Sequence, residues 1–193
     1  MLIMPHNPAL DVAIAGLYDL KKKLAAFQPH AVVSITNPGH ADLADEALAD
    51  LRIPILRQAY HDILKATGGH TSPASSDLSE AMGFLAANWK RAGMRVLVHC
   101  HAGISRSPAM AATLLAYASS RILQRSSRAE DASAIADAIA LAAPRMLPNS
   151  LILNAAERAM PEWRGRLESA MRGKAMQLLV EREARSEPGH LII

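Results

Sequence analysis

The sequence predicts an α/β fold with a single central, mainly parallel sheet of about four to five strands, flanked by helices, and a helical C-terminal portion. The run Val96-Leu97-Val98 is short, apolar and β-branched, which is typical of a strand covered on both faces. Only 4% of the residues are aromatic, whereas alanines, leucines and nine methionines are abundant, which favours closely packed helices over an all-β sandwich. The chain has 193 residues and 50% hydrophobic content, enough for one sizeable core, so we expect a single domain over residues 1–193.

The spacing of apolar residues separates strands from helices along the chain. Pro54 lacks an N–H, which places its strand at a sheet edge or at a bulge. Residues 57–76 form the longest irregular segment, and we expect it to cover a functional loop, because compact domains rarely keep such a segment unused. We expect residues 186–193 to form a flexible tail. In chain order the predicted elements are strand Leu2–Met4, helix Asp11–Phe27, strand Ala31–Thr36, helix Asp42–Leu51, strand Arg52–Leu56, helix Leu78–Trp89, strand Val96–Val98, and helices Ala109–Arg125, Glu130–Ala142, Leu151–Met160 and Trp163–Ala184.

The residues between the strand at Val96–Val98 and the next helix are expected to bind an anion. Ser107-Pro108 is a helix opening, so the loop from Cys100 to Arg106 is short and curls its N–H groups toward the positive helix end. Gly103 permits a positive φ or a close ligand approach, and the forked guanidinium of Arg106 matches two phosphoryl oxygens. Beside such groups we expect Cys100 to be a thiolate and a phosphorus nucleophile.

These residues carry a resemblance, because HCHAGISRS fits the His-Cys-x5-Arg-Ser/Thr signature of the cysteine-dependent protein tyrosine phosphatase superfamily. The chain looks most similar to the compact dual-specificity-like branch and to small bacterial proteins of that type. The resemblance implies a phosphocysteine on Cys100, transition-state clamping by Arg106, and a Ser107 hydroxyl that helps the thiolate leave. It also implies that His99 orients the loop and helps keep the thiol ionised. The expected substrate-binding residues are His101, Ala102, Gly103, Ile104, Ser105 and Arg106.

A general acid must protonate the leaving oxygen, and two carboxylates are candidates by position. Asp77 directly precedes a helical run and has Glu80 three residues on, so an N-cap role in a capping-box-like arrangement explains it. No local helix signal explains Asp62. In dual-specificity-like relatives the acid lies in the loop after such a strand, so the resemblance also favours Asp62, with Asp77 as the alternative.

Asn149 has two interpretations. Pro148-Asn149 is similar to a Pro-Asn pair of dual-specificity-like relatives, in which the asparagine braces the phosphate loop. An ordinary N-cap for helix Leu151–Met160 explains this asparagine equally well.

Composition limits location and partners. One cysteine cannot form an intramolecular disulfide, and no signal peptide or membrane span is evident, so we expect a cytoplasmic protein without membrane contact. The net charge of +3 weakly favours anionic substrates but is too small to indicate nucleic acid binding. No ligand cluster for a metal follows His99 and His101, and the arginine and amides supply positive charge, so we expect no metal and no cofactor.

The predicted function is a phosphomonoester hydrolase, a protein tyrosine or dual-specificity phosphatase, that acts on a phosphorylated protein or a small phosphomonoester. One alternative is a rhodanese-like sulfurtransferase, but the presence of Arg106-Ser107 disfavours it. Another is a pseudophosphatase that binds phosphoproteins without hydrolysing them.

Overall fold

The computed structural model describes residues 10–40, 42–65, 68–90, 93–124 and 129–186. These residues contain a four-stranded sheet flanked by helices on both faces. The predicted fold class is confirmed, including the helical C-terminal part. In chain order the elements are β1 (Leu10–Ala15), a 3₁₀ turn (Leu17–Asp19), α1 (Leu20–Phe27), β2 (Ala31–Thr36), α2 (Asp42–Leu48), β3 (Ile55–Ala59), α3 (Ser75–Ala87), β4 (Met94–His99), α4 (Arg106–Tyr117), a π-helical turn (Ala118–Ile122), α5 (Ala129–Ala142), α6 (Ser150–Ala159), a second 3₁₀ turn (Pro161–Trp163) and α7 (Leu167–Ser186).

The strands lie in the order β1-β4-β2-β3, and each neighbouring pair is parallel. Val96 of β4 is in register with Val12 of β1 and Ala31 of β2. Because all four strands run the same way, their carboxyl ends meet at one edge of the sheet. The residues that follow the strands therefore gather there, and in α/β sheets this edge is where ligands bind.

Strand β4 is buried on both faces, as its sequence predicts. Val96 and Val98 face a large apolar cluster to which α3 to α7 contribute, whereas Leu97 faces a smaller one formed with α1 and α2. Alternate side chains of one strand thus anchor both helical layers. This packing holds the end of β4 at the centre of the sheet edge.

One predicted helix is wrong in its first part. Strand β1 (Leu10–Ala15) takes up the start of the segment Asp11–Phe27 and pairs with β4 along its whole length, and only Leu20–Phe27 is α-helical. The apolar residues Val12 and Ile14 fit both the alternation of a strand and the spacing of a helix. Pairing with β4 decides between the two.

Other boundaries shift by a few residues. Strand β3 begins at Ile55 and occupies a sheet edge, with Pro54 just outside the ladder, where its carbonyl accepts the Val32 N–H. The helix predicted over Ala109–Arg125 begins at Arg106 and ends in the π-helical turn. The predicted strand Leu2–Met4 and nearly all of the predicted tail lie outside the described residues.

Candidate active site

The loop from Cys100 to Ser105 joins the end of β4 directly to the first turn of α4. Cys100 is buried, with 1% of its surface exposed. Its Sγ accepts the Gly103 N–H at 3.3 Å and lies 3.1 Å from Oγ of Ser107, a fully buried residue on α4. The sulfur is therefore enclosed by polar groups of its own loop and of the helix start.

Neighbouring segments fix the outer side of this loop. The Leu17 N–H donates to the His101 carbonyl at 2.9 Å, and the Leu147 N–H donates to the Ile104 carbonyl at 2.8 Å. Because the C=O and N–H of one trans peptide unit point in opposite directions, the N–H groups of Ala102 and Ser105 are directed toward the loop interior. The loop has the shape expected of an anion cradle.

Gly103 is required where the loop meets the end of β1. Its φ is +72°, a region in which a Cβ is strained, and a Cβ built there would lie 2.8 Å from the backbone nitrogen of Gly16. The loop backbone and the β1 backbone are thus in direct contact. Of the two uses predicted for this glycine, the positive φ is the one that the structure shows.

The guanidinium of Arg106 is buried, with 2% of the residue exposed. Its Nη1 donates to Oδ1 of Asn37 at 2.8 Å and to the Tyr60 carbonyl at 2.7 Å, so the ends of β2 and β3 both hold it. Its Nε is buried without a hydrogen-bond partner among the described residues. A buried donor of this kind normally has a partner, so a ligand oxygen is a natural acceptor for it.

Asp62 lies at the loop. Its Oδ1 accepts the hydroxyl of Ser105 at 2.6 Å and the side-chain amide of Asn149 at 2.9 Å. Its Oδ2 lies 3.7 Å from Nε of Arg106, and 37% of its side chain is exposed. One carboxylate oxygen is thus held in place while the other faces the arginine.

Asp77 has a different position. Its Oδ2 accepts the Ala74 N–H at 2.7 Å, and α3 begins at Ser75. Asp77 is therefore the third residue of the helix and not its N-cap, so the predicted capping-box-like arrangement starts three residues earlier than expected. The side chain of Asp77 therefore binds the start of its own helix, whereas the side chain of Asp62 contacts the loop.

Asn149 is the N-cap of α6, and its other contacts reach the Asp62 segment through the side chain and the Ser105 carbonyl through the backbone N–H, at 3.2 Å. Its Oδ1 accepts the N–H groups of Leu151 and Ile152 at the start of α6. Its Nδ2 donates to Asp62 and to the Ile63 carbonyl. With two donors on the oxygen side and two acceptors on the nitrogen side, only one amide orientation is possible. One fully buried residue thus caps a helix and braces the Asp62 segment.

His99 is fully buried at the end of β4. Burial, foremost, lowers the pKa of His99 to about 4, and the charges of Arg57 and Arg106 act in the same direction. The imidazole is therefore neutral at neutral pH, so His99 places no positive charge beside Cys100.

Three contacts of this site were not anticipated from the sequence. Nε2 of His99 lies 2.8 Å from Oγ of Ser34, the single hydroxyl in the buried part of β2. Nη1 of Arg106 donates to Oδ1 of Asn37 and to Tyr60, which contributes only its backbone carbonyl. The available signals were a lone buried polar residue within an apolar strand and the position of Asn37 directly after a strand end.

Among the described residues, no group of three histidine, cysteine or carboxylate side chains is placed to hold a metal ion. In the same part of the chain, no helix has both the length and the apolar character needed to cross a membrane.

Comparisons with known proteins agree with this geometry. Residues 18–124 match the family model described as dual specificity phosphatase, catalytic domain, and no curated protein matches the chain. A human tyrosine phosphatase-like serine/threonine/tyrosine-interacting protein is 17% identical, with a TM-score of 0.57 and coverage of 81% of this chain and 93% of that chain. The Cydia pomonella PTP-2 phosphatase is 18% identical, with a TM-score of 0.54 and coverage of 77% and 84%. The structure of DUSP15 is 20% identical, with a TM-score of 0.51 and coverage of 90% and 92%.

The TM-scores above 0.5 show that these proteins share the fold, and the family match covers more than half of the chain, including the whole of the loop from Cys100 to Arg106. The chain belongs to the dual specificity phosphatase family.

Proposed function

We propose that this protein hydrolyses phosphomonoesters of phosphorylated proteins, as a protein tyrosine or dual-specificity phosphatase, through a phosphocysteine intermediate. The observation that carries the proposal is the convergence of three groups on one loop: the Cys100 thiol, the Nε of Arg106, which has no hydrogen-bond partner among the described residues, and the carboxylate of Asp62. Family membership supports the reaction class. A small phosphomonoester is the simplest substrate with the same chemistry.

In the first step, the Sγ of Cys100 attacks phosphorus, and an S–P bond forms while the bond from phosphorus to the leaving oxygen breaks. The phosphoryl oxygens are held by the guanidinium of Arg106 and by loop N–H groups, which are in place before the reaction starts. Such preorganised donors usually supply a large share of the acceleration. The proposal needs no metal, because these groups already provide the positive charge.

Asp62 is the proposed general acid. Its Oδ1 already accepts two hydrogen bonds, from Ser105 and Asn149, so the proton for the leaving oxygen is assigned to Oδ2. That oxygen faces Arg106, beside the expected position of the phosphoryl group. Once the leaving group has gone, Asp62 accepts a proton from the attacking water.

In the second step, this water attacks phosphorus and the S–P bond breaks, which releases phosphate and restores the thiolate. The Ser107 hydroxyl lies 3.1 Å from Sγ and is buried, so it is placed to donate to the departing sulfur. We therefore expect Ser107→Ala to slow the breakdown of the phosphocysteine more than its formation.

The decisive experiment compares the wild-type protein with Cys100→Ser on p-nitrophenyl phosphate and on a phosphotyrosine peptide. We expect the variant to lose turnover while it still binds the peptide, because the arginine and the loop amides remain. Retained turnover would overturn the proposal. Peptide binding by the wild type without phosphate release would indicate a pseudophosphatase, and thiosulfate turnover would indicate a sulfurtransferase.

A further inference from the structure

The Arg106 guanidinium is fixed by oxygen atoms that carry no formal charge. Its Nη1 donates to Oδ1 of Asn37 at 2.8 Å and to the Tyr60 carbonyl at 2.7 Å. A buried arginine is commonly paired with a carboxylate. Among the described residues, the carboxylate within ion-pair distance of this guanidinium belongs to Asp62, 3.7 Å from Nε, and Asp62 carries a proton in the proposed first step. The groups that hold Nη1 therefore add no negative charge to the loop.

Asn37 lies directly after β2, and its backbone is fixed without help from its side chain. The Asn37 carbonyl accepts the His40 N–H at 3.0 Å and closes a turn. One residue earlier, the Thr36 carbonyl accepts the Tyr60 N–H at 3.1 Å and ties the turn to the end of β3. Asparagine side chains in turns often bind their own backbone, but Oδ1 of Asn37 is directed at Arg106 instead.

The contact between Asn37 and Arg106 requires an acceptor, and here the acceptor is an amide oxygen. A guanidinium can only donate, so the Asn37 amide must present its oxygen to Nη1. An aspartate at this position would have nearly the same shape and would offer an equivalent acceptor, but it would add a negative charge. Arg106 is 2% exposed, so that charge would be weakly screened and would repel a phosphoryl dianion bound at the guanidinium. Asparagine satisfies the donor and leaves the charge of the arginine available.

We propose that Asn37 is a positioning residue, which fixes the Arg106 guanidinium through an uncharged acceptor and so keeps its full positive charge for the phosphoryl group of the substrate. This inference rests on the proposed phosphatase function and deepens it, because it identifies a side chain on which the affinity for a phosphoryl dianion depends. Asn37 itself takes no part in the steps that form and break bonds.

The test measures the dissociation constant of inorganic phosphate by calorimetry for the wild type, Asn37→Asp and Asn37→Ala. Asn37→Asp keeps the acceptor and adds a charge, so we expect phosphate affinity to fall by about ten- to hundredfold. Asn37→Ala removes one of the two acceptors of Nη1 and adds no charge, so the affinity should fall by only about two- to fivefold. A purely structural role predicts the opposite order, because aspartate is the closer replacement in shape. The kcat/KM for p-nitrophenyl phosphate should follow the order of the affinities.

His40→Asp is the matched control. His40 is exposed in the same turn, and its Nδ1 lies 3.0 Å from the Pro38 carbonyl. This variant adds a carboxylate to the turn at a position that does not hold Arg106, so phosphate affinity should stay within about twofold of the wild-type value. Urea unfolding shows whether each variant keeps its fold. If Asn37→Ala does not fold, the comparison of Asn37→Asp with His40→Asp decides alone.

The proposal is overturned if Asn37→Asp binds phosphate as tightly as the wild type or fails to fold, if Asn37→Ala loses more affinity than Asn37→Asp, or if His40→Asp loses as much. It is also overturned if the wild type does not bind phosphate. If the wild type binds phosphate but hydrolyses no phosphomonoester, the proposed function fails, and the dissociation constants of the variants still decide the role of Asn37.

Discussion

Asn149 offers the sharpest test of how the site is held together, because one buried side chain caps α6 and braces the Asp62 segment. Asn149→Ala removes both functions. The lost cap costs about 1 kcal/mol, and the half-buried Ile63 carbonyl left without its donor costs about 1 kcal/mol more. We therefore expect the free energy of unfolding to fall by about 2 kcal/mol.

Asn149→Ser separates the two functions. Serine is a good N-cap, so this variant should recover about 1 kcal/mol of the loss while still lacking the two amide donors. Without them Asp62 keeps only its bond from Ser105, and the proton donor is less well placed. Since small misplacements in a catalytic site are costly, we expect turnover to fall about ten- to hundredfold with phenyl phosphate, whose leaving group needs a proton.

The assay is steady-state turnover of phenyl phosphate and p-nitrophenyl phosphate by both variants, together with urea unfolding. We expect the loss to be several-fold smaller with p-nitrophenyl phosphate, because its leaving group needs little protonation. A serine variant with wild-type turnover on both substrates would refute the reasoning, because Asn149 would then act as a cap alone. An equal loss on both substrates would also contradict a role through the acid.

Three further predictions follow from the same geometry. Asp62→Asn should lower kcat about 10²- to 10⁴-fold with poor leaving groups and less with an activated aryl phosphate. Asp77→Asn should leave kcat unchanged with both kinds of substrate and should destabilise α3, as urea unfolding would record. The opposite outcome would exchange the roles of the two carboxylates. Gly103→Ala should abolish phosphate binding in a calorimetric titration, because the added Cβ meets the Gly16 backbone; a variant that binds phosphate normally would count against the tight loop. Burial lowers the pKa of His99 to about 4, so the unfolded chain binds more protons between about pH 6.5 and pH 4. Stability should therefore be lost as pH falls through that window, by up to about 3 kcal/mol, and urea unfolding of His99→Gln should show less of this loss.

The central strand and its loop could be predicted because their signals are local. An apolar β-branched run, a glycine and a Ser-Pro helix start occupy consecutive positions, and the structure places Cys100, Gly103 and Arg106 around one loop. The catalytic roles of these residues remain predictions. The choice of Asp62 over Asp77 also rested partly on a local signal, because a capping role explained Asp77.

The features that the sequence did not predict depend on contacts between residues that are far apart in the chain. Strand β1 resembles a helix in its apolar spacing, and only its pairing with β4 settles its structure. The Ser34 hydroxyl reaches His99 across 65 positions, and the Asn149 amide reaches Asp62 across 87. No periodicity in one sequence indicates which polar residues will meet at such separations.

Transfer of the phosphoryl group to the sulfur of Cys100 is tested most directly by rapid-quench mass spectrometry during turnover of a phosphotyrosine peptide. The chain has one cysteine, so the position of the adduct is unambiguous. We predict a transient phosphoryl group on the proteolytic fragment that contains Cys100, and a larger accumulation of this adduct in Ser107→Ala. Turnover without any such adduct, or with the phosphoryl group on a histidine, would contradict it.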